Sequence, residues 1–92
     1  MRKVSNNILR IIATIPHPQI KISIFSWNDK FFIELEIGQF KQTYKIAQEH
    51  ISGLEAVKAI ITVDFINKCM SRFVEMRKDF SCSMDQLQKT NS

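Results

Sequence analysis

Few residues of this chain could perform acid–base, nucleophilic or metal chemistry, and they stand apart from one another. Glu34 and Glu36 fall on the same side of one predicted strand, the arrangement in which two carboxylates can share acid–base work. Their predicted cross-strand neighbours are Lys21, Lys41 and Thr43. Cross-strand ion pairs are therefore the favoured interpretation of these glutamates.

The two histidines and two cysteines form no catalytic or metal-binding set. His17 and His50 fall in separate loops, Cys69 on an apolar helix face and Cys82 in a polar stretch. A nucleophile needs an adjacent base, and a metal needs several ligands at suitable spacing. We expect no catalytic residue, metal ligand or cofactor, and two free thiols in a reducing cytoplasm. An enzyme is the weakest interpretation; a deep pocket holding either histidine against an acid would revive it.

Aromatic and basic side chains do share one predicted surface, the outer face of the sheet. This candidate binding face consists of Phe25, Trp27, Lys30, Phe32 and Lys45. Aromatic rings beside lysines are what the bases and phosphates of single-stranded nucleic acid contact. The glutamates on the same face repel phosphate, so nucleic-acid binding is an alternative hypothesis rather than the first.

The element that positions these residues is a meander over residues 20–46. Apolar and polar residues alternate there with the period of half-buried antiparallel strands. Asn28-Asp29 and Gly38-Gln39 suit two-residue turns. These turns fix a register with an apolar inner face, broken by Gln42, and three outward rows: Lys21–Glu36–Lys41, Ser23–Glu34–Thr43 and Phe25–Phe32–Lys45.

Residues 8–15 match both a helix and a strand template. Their β-branched composition, and Pro16, which favours extended geometry at Ile15, favour a strand. The sheet is therefore expected to have three or four strands.

Two helices are predicted after the sheet. Ser52 and Glu55 have the spacing of a capping box that opens a short helix to Ile60 or Ile61. Thr62 is a second N-cap candidate, before a longer helix from Val63 to about Phe80. The sequence leaves open whether the two helices are continuous, and residues 81–92 are expected to be a loose polar tail.

The long helix has more apolar surface than one side of a three-stranded sheet usually covers. Apolar residues span about half of its circumference, with Arg77 intruding among them. The excess defines a candidate dimer face: Ile66, Met70, Val74 and Arg77. Burial by a second subunit and cover by the N-terminal segment or the short helix remain equal alternatives.

Length and composition agree with one small α+β domain over residues 1–92, with an ordered core of about 8–80. The net charge of +4 is spread along the chain, so it permits an acidic partner without requiring one. No apolar run approaches the roughly 20 residues of a membrane helix. We expect a cytoplasmic protein that does not bind membranes.

The runs Ile15-Pro16-His17-Pro18, Ser26-Trp27-Asn28 and Gln42-Thr43-Tyr44-Lys45-Ile46 resemble a signature of small uncharacterised bacterial proteins. That resemblance covers residues 8 to about 80 and implies no activity. Strands followed by one long helix are also similar to the β4–α module of PC4 and Whirly type single-strand binders, which dimerise through their helices. Their strongly basic sheet face is replaced here by the rows that contain Glu34 and Glu36, so no binding residue carries over.

The sequence thus predicts an antiparallel meander of three to four strands with one short and one long C-terminal helix packed on one face. The favoured function is a non-catalytic interaction module that acts as a homodimer, with a protein partner possible. Single-stranded DNA or RNA binding through the outer sheet face is the alternative.

Overall fold

The computed structural model describes residues 9–91, and side chains up to Lys89. Its α+β architecture is the one the sequence predicts. Four strands are followed by a short 3-10 turn and two helices: β1 (Arg10–Ile15), β2 (Lys21–Trp27), β3 (Lys30–Ile37), β4 (Phe40–Ala47), the turn Gln48–His50, α1 (Leu54–Ile60) and α2 (Val63–Asn91). Ile8 and Ser92, at the ends of the predicted first strand and tail, lie outside the described residues.

The four strands form one antiparallel sheet in sequential order. The predicted register is confirmed: Ile24 pairs with Ile33, and Leu35 lies between Ile22 and Gln42. The three outward rows of the sheet also pair as predicted.

Both turns take the backbone conformations that their residues allow. Asn28 and Asp29 have φ angles of 54° and 64°, as a type I′ turn requires at both central positions. Gly38 has φ 56°, whereas Gln39 does not have a positive φ, as in a type II′ turn. Because each turn has two residues, it fixes the pairing of the strands on either side.

The first segment of the sheet is a strand over Arg10–Ile15, as its β-branched composition predicts. β1 pairs with β2, with Ile15 opposite Ile22 and Ile11 opposite Phe25. The register shifts between Ile11 and Ala13, so Ile12 is an extra residue in a β-bulge. The bulge explains why these residues also fit a helix pattern, since strict alternation breaks at Ile12.

The core lies between the inner face of the sheet and the two helices. Its fully buried side chains come from both layers: Ile22, Ile24, Ile33, Leu35, Val57 and Cys69. The α2 residues Phe73, Phe65 and Met76 join this cluster. Burial of this apolar surface is the main favourable term that holds the helices to the sheet.

The two helices are separate, and their N-termini differ from each other. Thr62 Oγ1 accepts a hydrogen bond from the Phe65 amide at 3.1 Å, so its predicted N-cap role is confirmed. The predicted capping box at Ser52 is wrong. Gly53, with φ 149°, is the N-cap of α1 and makes no side-chain cap, while Glu55 pairs with Lys58 at 3.5 Å.

The second helix is longer than the sequence predicts. It continues beyond Phe80 to Asn91, so the expectation of a loose tail from Ser81 is corrected up to that residue. No Gly or Pro follows Gly53, so no helix breaker interrupts the run. We call residues 80–91 the arm; at 1.5 Å per residue it spans about 18 Å.

Candidate functional site

A cleft of about 430 Å³ opens on the outer face of the sheet. Leu9, Trp27, Phe32, Glu34 and Thr43 line it. The rings of Trp27 and Phe32 have centroids 6.4 Å apart and planes tilted by 41°. The two aromatic rings and the Leu9 side chain make the lining mostly apolar, and Glu34 and Thr43 add one carboxylate and one hydroxyl. Small-ligand clefts typically have such a composition.

Sheet geometry places the two aromatic residues. Trp27 is the last residue of β2 and Phe32 lies two positions into β3, so both point to the outer face on either side of the first turn. The turn is tied to the end of β4, because the Gln48 amide donates to the Asp29 carbonyl at 3.0 Å. The Gln48 side-chain amide also donates to Ser26 Oγ at 3.3 Å. These bonds hold the aromatic pair on well-ordered backbone.

The charges around the cleft are mixed. Lys30 pairs with Trp27, and Lys45 with Phe32, so both lysines flank the rings on the outer face. Inside the cleft Glu34 is partly buried, and its Oε1 lies 3.6 Å from Lys41 Nζ. The cleft therefore has one negative group in its lining and positive groups beside the rings.

The predicted binding face is largely assembled. Trp27 and Phe32 line the cleft, and Lys30 and Lys45 flank it, whereas Phe25 is half-buried beside it. Three residues that line the cleft are absent from the predicted binding face: Leu9, Glu34 and Thr43. Thr43 is already in the outward row of Glu34, so the register could have shown it. Leu9 could not be placed, because it precedes the bulge in the segment with ambiguous periodicity.

The helix surface is divided between core and solvent. Ile66 and Met70 of the predicted dimer face are half-buried against the chain's own core, and Val74 and Arg77 are exposed. A groove of about 230 Å³ runs beside them, lined by Gln19, Ile37, Met70, Phe73, Val74 and Arg77. Only the C-terminal part of the predicted dimer face is therefore open.

The arm continues the core-facing stripe of α2 into solvent. Phe80 contacts Phe40 edge-on, with ring centroids 5.9 Å apart, yet stays 47% exposed. Met84 and Leu87 follow on the same face and are 41% and 55% exposed. The sheet thus stops covering this stripe at Phe80.

The histidines have structural or surface positions. His17 Nδ1 accepts hydrogen bonds from the backbone amides of Gln19 and Ile20, at 3.1 and 3.2 Å, so it organises the connection from β1 to β2. His50 lies 3.6 Å from Glu49, but both side chains are exposed. Among residues 9–91, no group of three or more His, Cys, Asp or Glu side chains could hold a metal ion.

A polar trio joins β4 to α2. Gln42 donates from Nε2 to the Cys69 carbonyl at 2.9 Å and accepts at Oε1 from the Tyr44 hydroxyl at 3.3 Å. Tyr44 Oη also lies 3.7 Å from Cys69 Sγ. Burial raises the pKa of Tyr44 above its ordinary value, and the hydrogen bond between its hydroxyl and the Cys69 side chain acts in the same direction. Tyr44 therefore favours folding at pH values below about 10, and this contribution declines as pH rises through the folded-state pKa.

No protein family, curated protein or solved structure matches this chain. In the part of the chain that the structure describes, no helix is both long and apolar enough to cross a membrane.

Proposed function

We propose that this protein is a non-catalytic interaction module that works as a homodimer joined through the arm of α2. The observation that carries the proposal is the apolar stripe of Phe80, Met84 and Leu87, which extends past the sheet. The two thiols, Cys69 and Cys82, are free, which suits a reducing compartment such as the cytoplasm.

The stripe has a clear energetic preference for burial. Each large apolar side chain gains about 1.5–3 kcal/mol when it moves from full exposure to full burial. Phe80, Met84 and Leu87 are about half exposed, so a partner that covers them recovers a substantial part of that free energy. Contiguous exposed apolar surface of this kind marks an interaction site.

The position of the stripe favours a second copy as its cover. The stripe lies on the same face of α2 as Phe73, which packs on the sheet. A partner that covers the stripe must therefore lie on the same side of α2 as the sheet, past the point where the sheet ends. An antiparallel arm fits there, with Phe80 of each copy near Leu87 of the partner subunit and the two-fold axis near Ser83. Such an interface is self-complementary, as two-fold dimers require.

The charges that border the stripe tolerate this arrangement. Arg77 and Asp79 lie on opposite sides of the stripe, and in an antiparallel pair the same side of each helix meets its counterpart. Arg77 then lies opposite Gln88 of the partner subunit, and Asp79 opposite Gln86 of the partner subunit. No like charges meet across the pair.

The groove beside Val74 extends the interface beyond the arms. A stable dimer buries roughly 800 Å² on each partner, more than three side chains provide. The tip of the partner's arm reaches the end of the sheet, where Ile37 and Val74 line the groove. Val74 and Arg77 of the predicted dimer face thus belong to the interface.

Size-exclusion chromatography with light scattering tests the dimer. The wild-type chain is expected to elute with twice its mass of 10.8 kDa. The double variant Met84→Glu/Leu87→Glu is expected to be a monomer whose circular dichroism spectrum shows that the fold is kept. Cys82→Glu is the matched control, because it adds a glutamate to the opposite face of the same arm and should leave the dimer intact. A wild-type monomer at every concentration, or a dimer that survives the double variant, would refute the proposal.

A second candidate function is binding of single-stranded nucleic acid on the outer sheet face. The observation that favours it is the ring pair of exposed Trp27 and half-buried Phe32, with Lys30 and Lys45 beside it. Stacking of a base on an aromatic side chain contributes about 1–3 kcal/mol, and lysines add salt-dependent attraction to phosphate.

Fluorescence of Trp27, the only tryptophan, reports this binding directly. Titration with oligo-dT and with mixed-sequence RNA should quench it, and the affinity should fall as salt rises. The Lys30→Gln/Lys45→Gln variant should bind more weakly with a smaller salt dependence, while Lys68→Gln, on the exposed face of α2, should not change binding. Absence of quenching at low salt would eliminate this candidate.

A further inference from the structure

We infer that the outer-face cleft selects guanine among the bases, through Glu34. This inference rests on the second candidate function, because it names the ligand of the same surface. It also reverses one role that the sequence suggests for Glu34, that of a charge that repels phosphate.

Glu34 places a carboxylate in the lining of a mostly apolar cleft. Guanine presents two adjacent N–H donors on its pairing edge, N1–H and the 2-amino group, and a carboxylate accepts both side by side. Adenine, cytosine and uracil do not offer two adjacent donors on that edge. A glutamate beside stacking rings therefore discriminates for guanine rather than against all nucleotides.

The walls and charges of the cleft also suit a purine. Trp27 and Phe32 provide the ring faces on which a base stacks, and the cleft of about 430 Å³ is large enough for a purine. Thr43 pairs with Glu34 across β3 and β4 and adds a hydroxyl to the same wall. The cation that lies near Glu34, Lys41, is 3.6 Å from Oε1, and a carboxylate has capacity for further hydrogen bonds.

The competing ligand is an arginine or lysine side chain of a peptide. Such a cation would also stack on the rings and bind Glu34. Lys30 and Lys45, which flank the aromatic pair on the same face, would repel its positive charge. A nucleotide turns these lysines into an advantage, because its phosphate is attracted by the positive border while its base meets the carboxylate.

The test compares GMP, IMP, AMP, CMP and UMP by quenching of Trp27 in the wild-type chain. IMP lacks the 2-amino group and keeps N1–H, so it removes one of the two donors. We expect GMP to bind at least tenfold more tightly than AMP, CMP and UMP, with IMP between them. A good bidentate base contact discriminates by about 1–3 kcal/mol, and tenfold corresponds to 1.4 kcal/mol.

Two variants localise the effect. Glu34→Gln replaces one acceptor by a donor and should reduce GMP binding to the level of AMP, with AMP binding unchanged. Glu36→Gln removes the same charge from the neighbouring row, outside the cleft, and should preserve the guanine preference. Because Glu34 is not a core residue, Glu34→Gln is expected to keep the wild-type thermal unfolding midpoint, and the comparison of GMP with IMP needs no variant.

The outcomes separate the inference from the function on which it rests. Equal affinity for all five nucleotides, together with binding to oligo-dT, would overturn guanine selection and leave the nucleic-acid candidate standing. Absence of binding to every nucleotide and oligonucleotide would overturn both. A guanine preference that persists in Glu34→Gln would overturn the assignment to this carboxylate.

Discussion

At the scale of single residues, Gln42 shows how one polar group in the core can define a contact. Apolar packing between α2 and the sheet is non-directional and allows small shifts of the helix. The Gln42 amide selects one carbonyl of the helix, that of Cys69, at 2.9 Å. The sequence shows Gln42 only as a break in the inner row, because its partner is 27 residues away and belongs to backbone.

Gln42→Met should lower the free energy of unfolding by about 1–2 kcal/mol. Methionine keeps the length of the side chain but leaves the Tyr44 hydroxyl and the Cys69 carbonyl without the amide. Urea denaturation at a fixed protein concentration measures the change. Gln39→Met, at the exposed second turn, is the control and should stay within about 0.5 kcal/mol of wild type. Wild-type stability of Gln42→Met would show that the trio contributes no net stability.

At the scale of elements, helix starts and ends were predicted unequally well. The N-cap rule holds for Thr62, because Thr62 directly precedes a continuous helix and its hydroxyl oxygen accepts the hydrogen bond of the Phe65 amide. The same kind of rule is wrong at Ser52, since the chain turns at Gly53 with a φ that glycine readily adopts. The helix α2 extends past its predicted end near Phe80, because Met84 and Leu87 continue the apolar spacing through a segment that is otherwise polar.

The two serine/threonine positions give a paired experiment. Thr62→Ala should destabilise the protein by about 1 kcal/mol, because the Phe65 amide loses its acceptor. Thr62→Ser should recover most of this loss. Ser52→Ala should have almost no effect, since Ser52 makes no cap to α1. Thermal unfolding at matched concentration measures all three; an equal loss for Ser52→Ala and Thr62→Ala would contradict the observed caps.

At the scale of the whole molecule, the sequence predicts the sheet better than the surfaces. The register follows from two turns, whose residues can adopt the φ angles that each turn requires. Two short turn sequences therefore define how the strands β2, β3 and β4 pair. The outer aromatic pair follows from that register. The cleft could not be predicted in full, because Leu9 is positioned by a bulge, and bulges leave little trace in periodicity.

The sequence also could not predict which part of the candidate dimer face is exposed. Periodicity shows which side chains share a face, but not where along α2 the sheet ends. The structure places that limit at the contact of Phe80 with Phe40. Before this limit, Ile66 and Met70 pack against the core, whereas Val74 and Arg77 are exposed. Tertiary packing, rather than residue type, divides the candidate dimer face.

The uneven cover of α2 also has a consequence for dynamics. The amide protons of the α2 turns around the buried residues Cys69 and Phe73 exchange with solvent mainly when the domain opens. The sheet does not cover the arm, so its amides in a monomer exchange with little protection. The helix α2 therefore has a segment with slow amide exchange and a segment with fast amide exchange. The slow segment should extend toward Asn91 only when a partner covers the stripe.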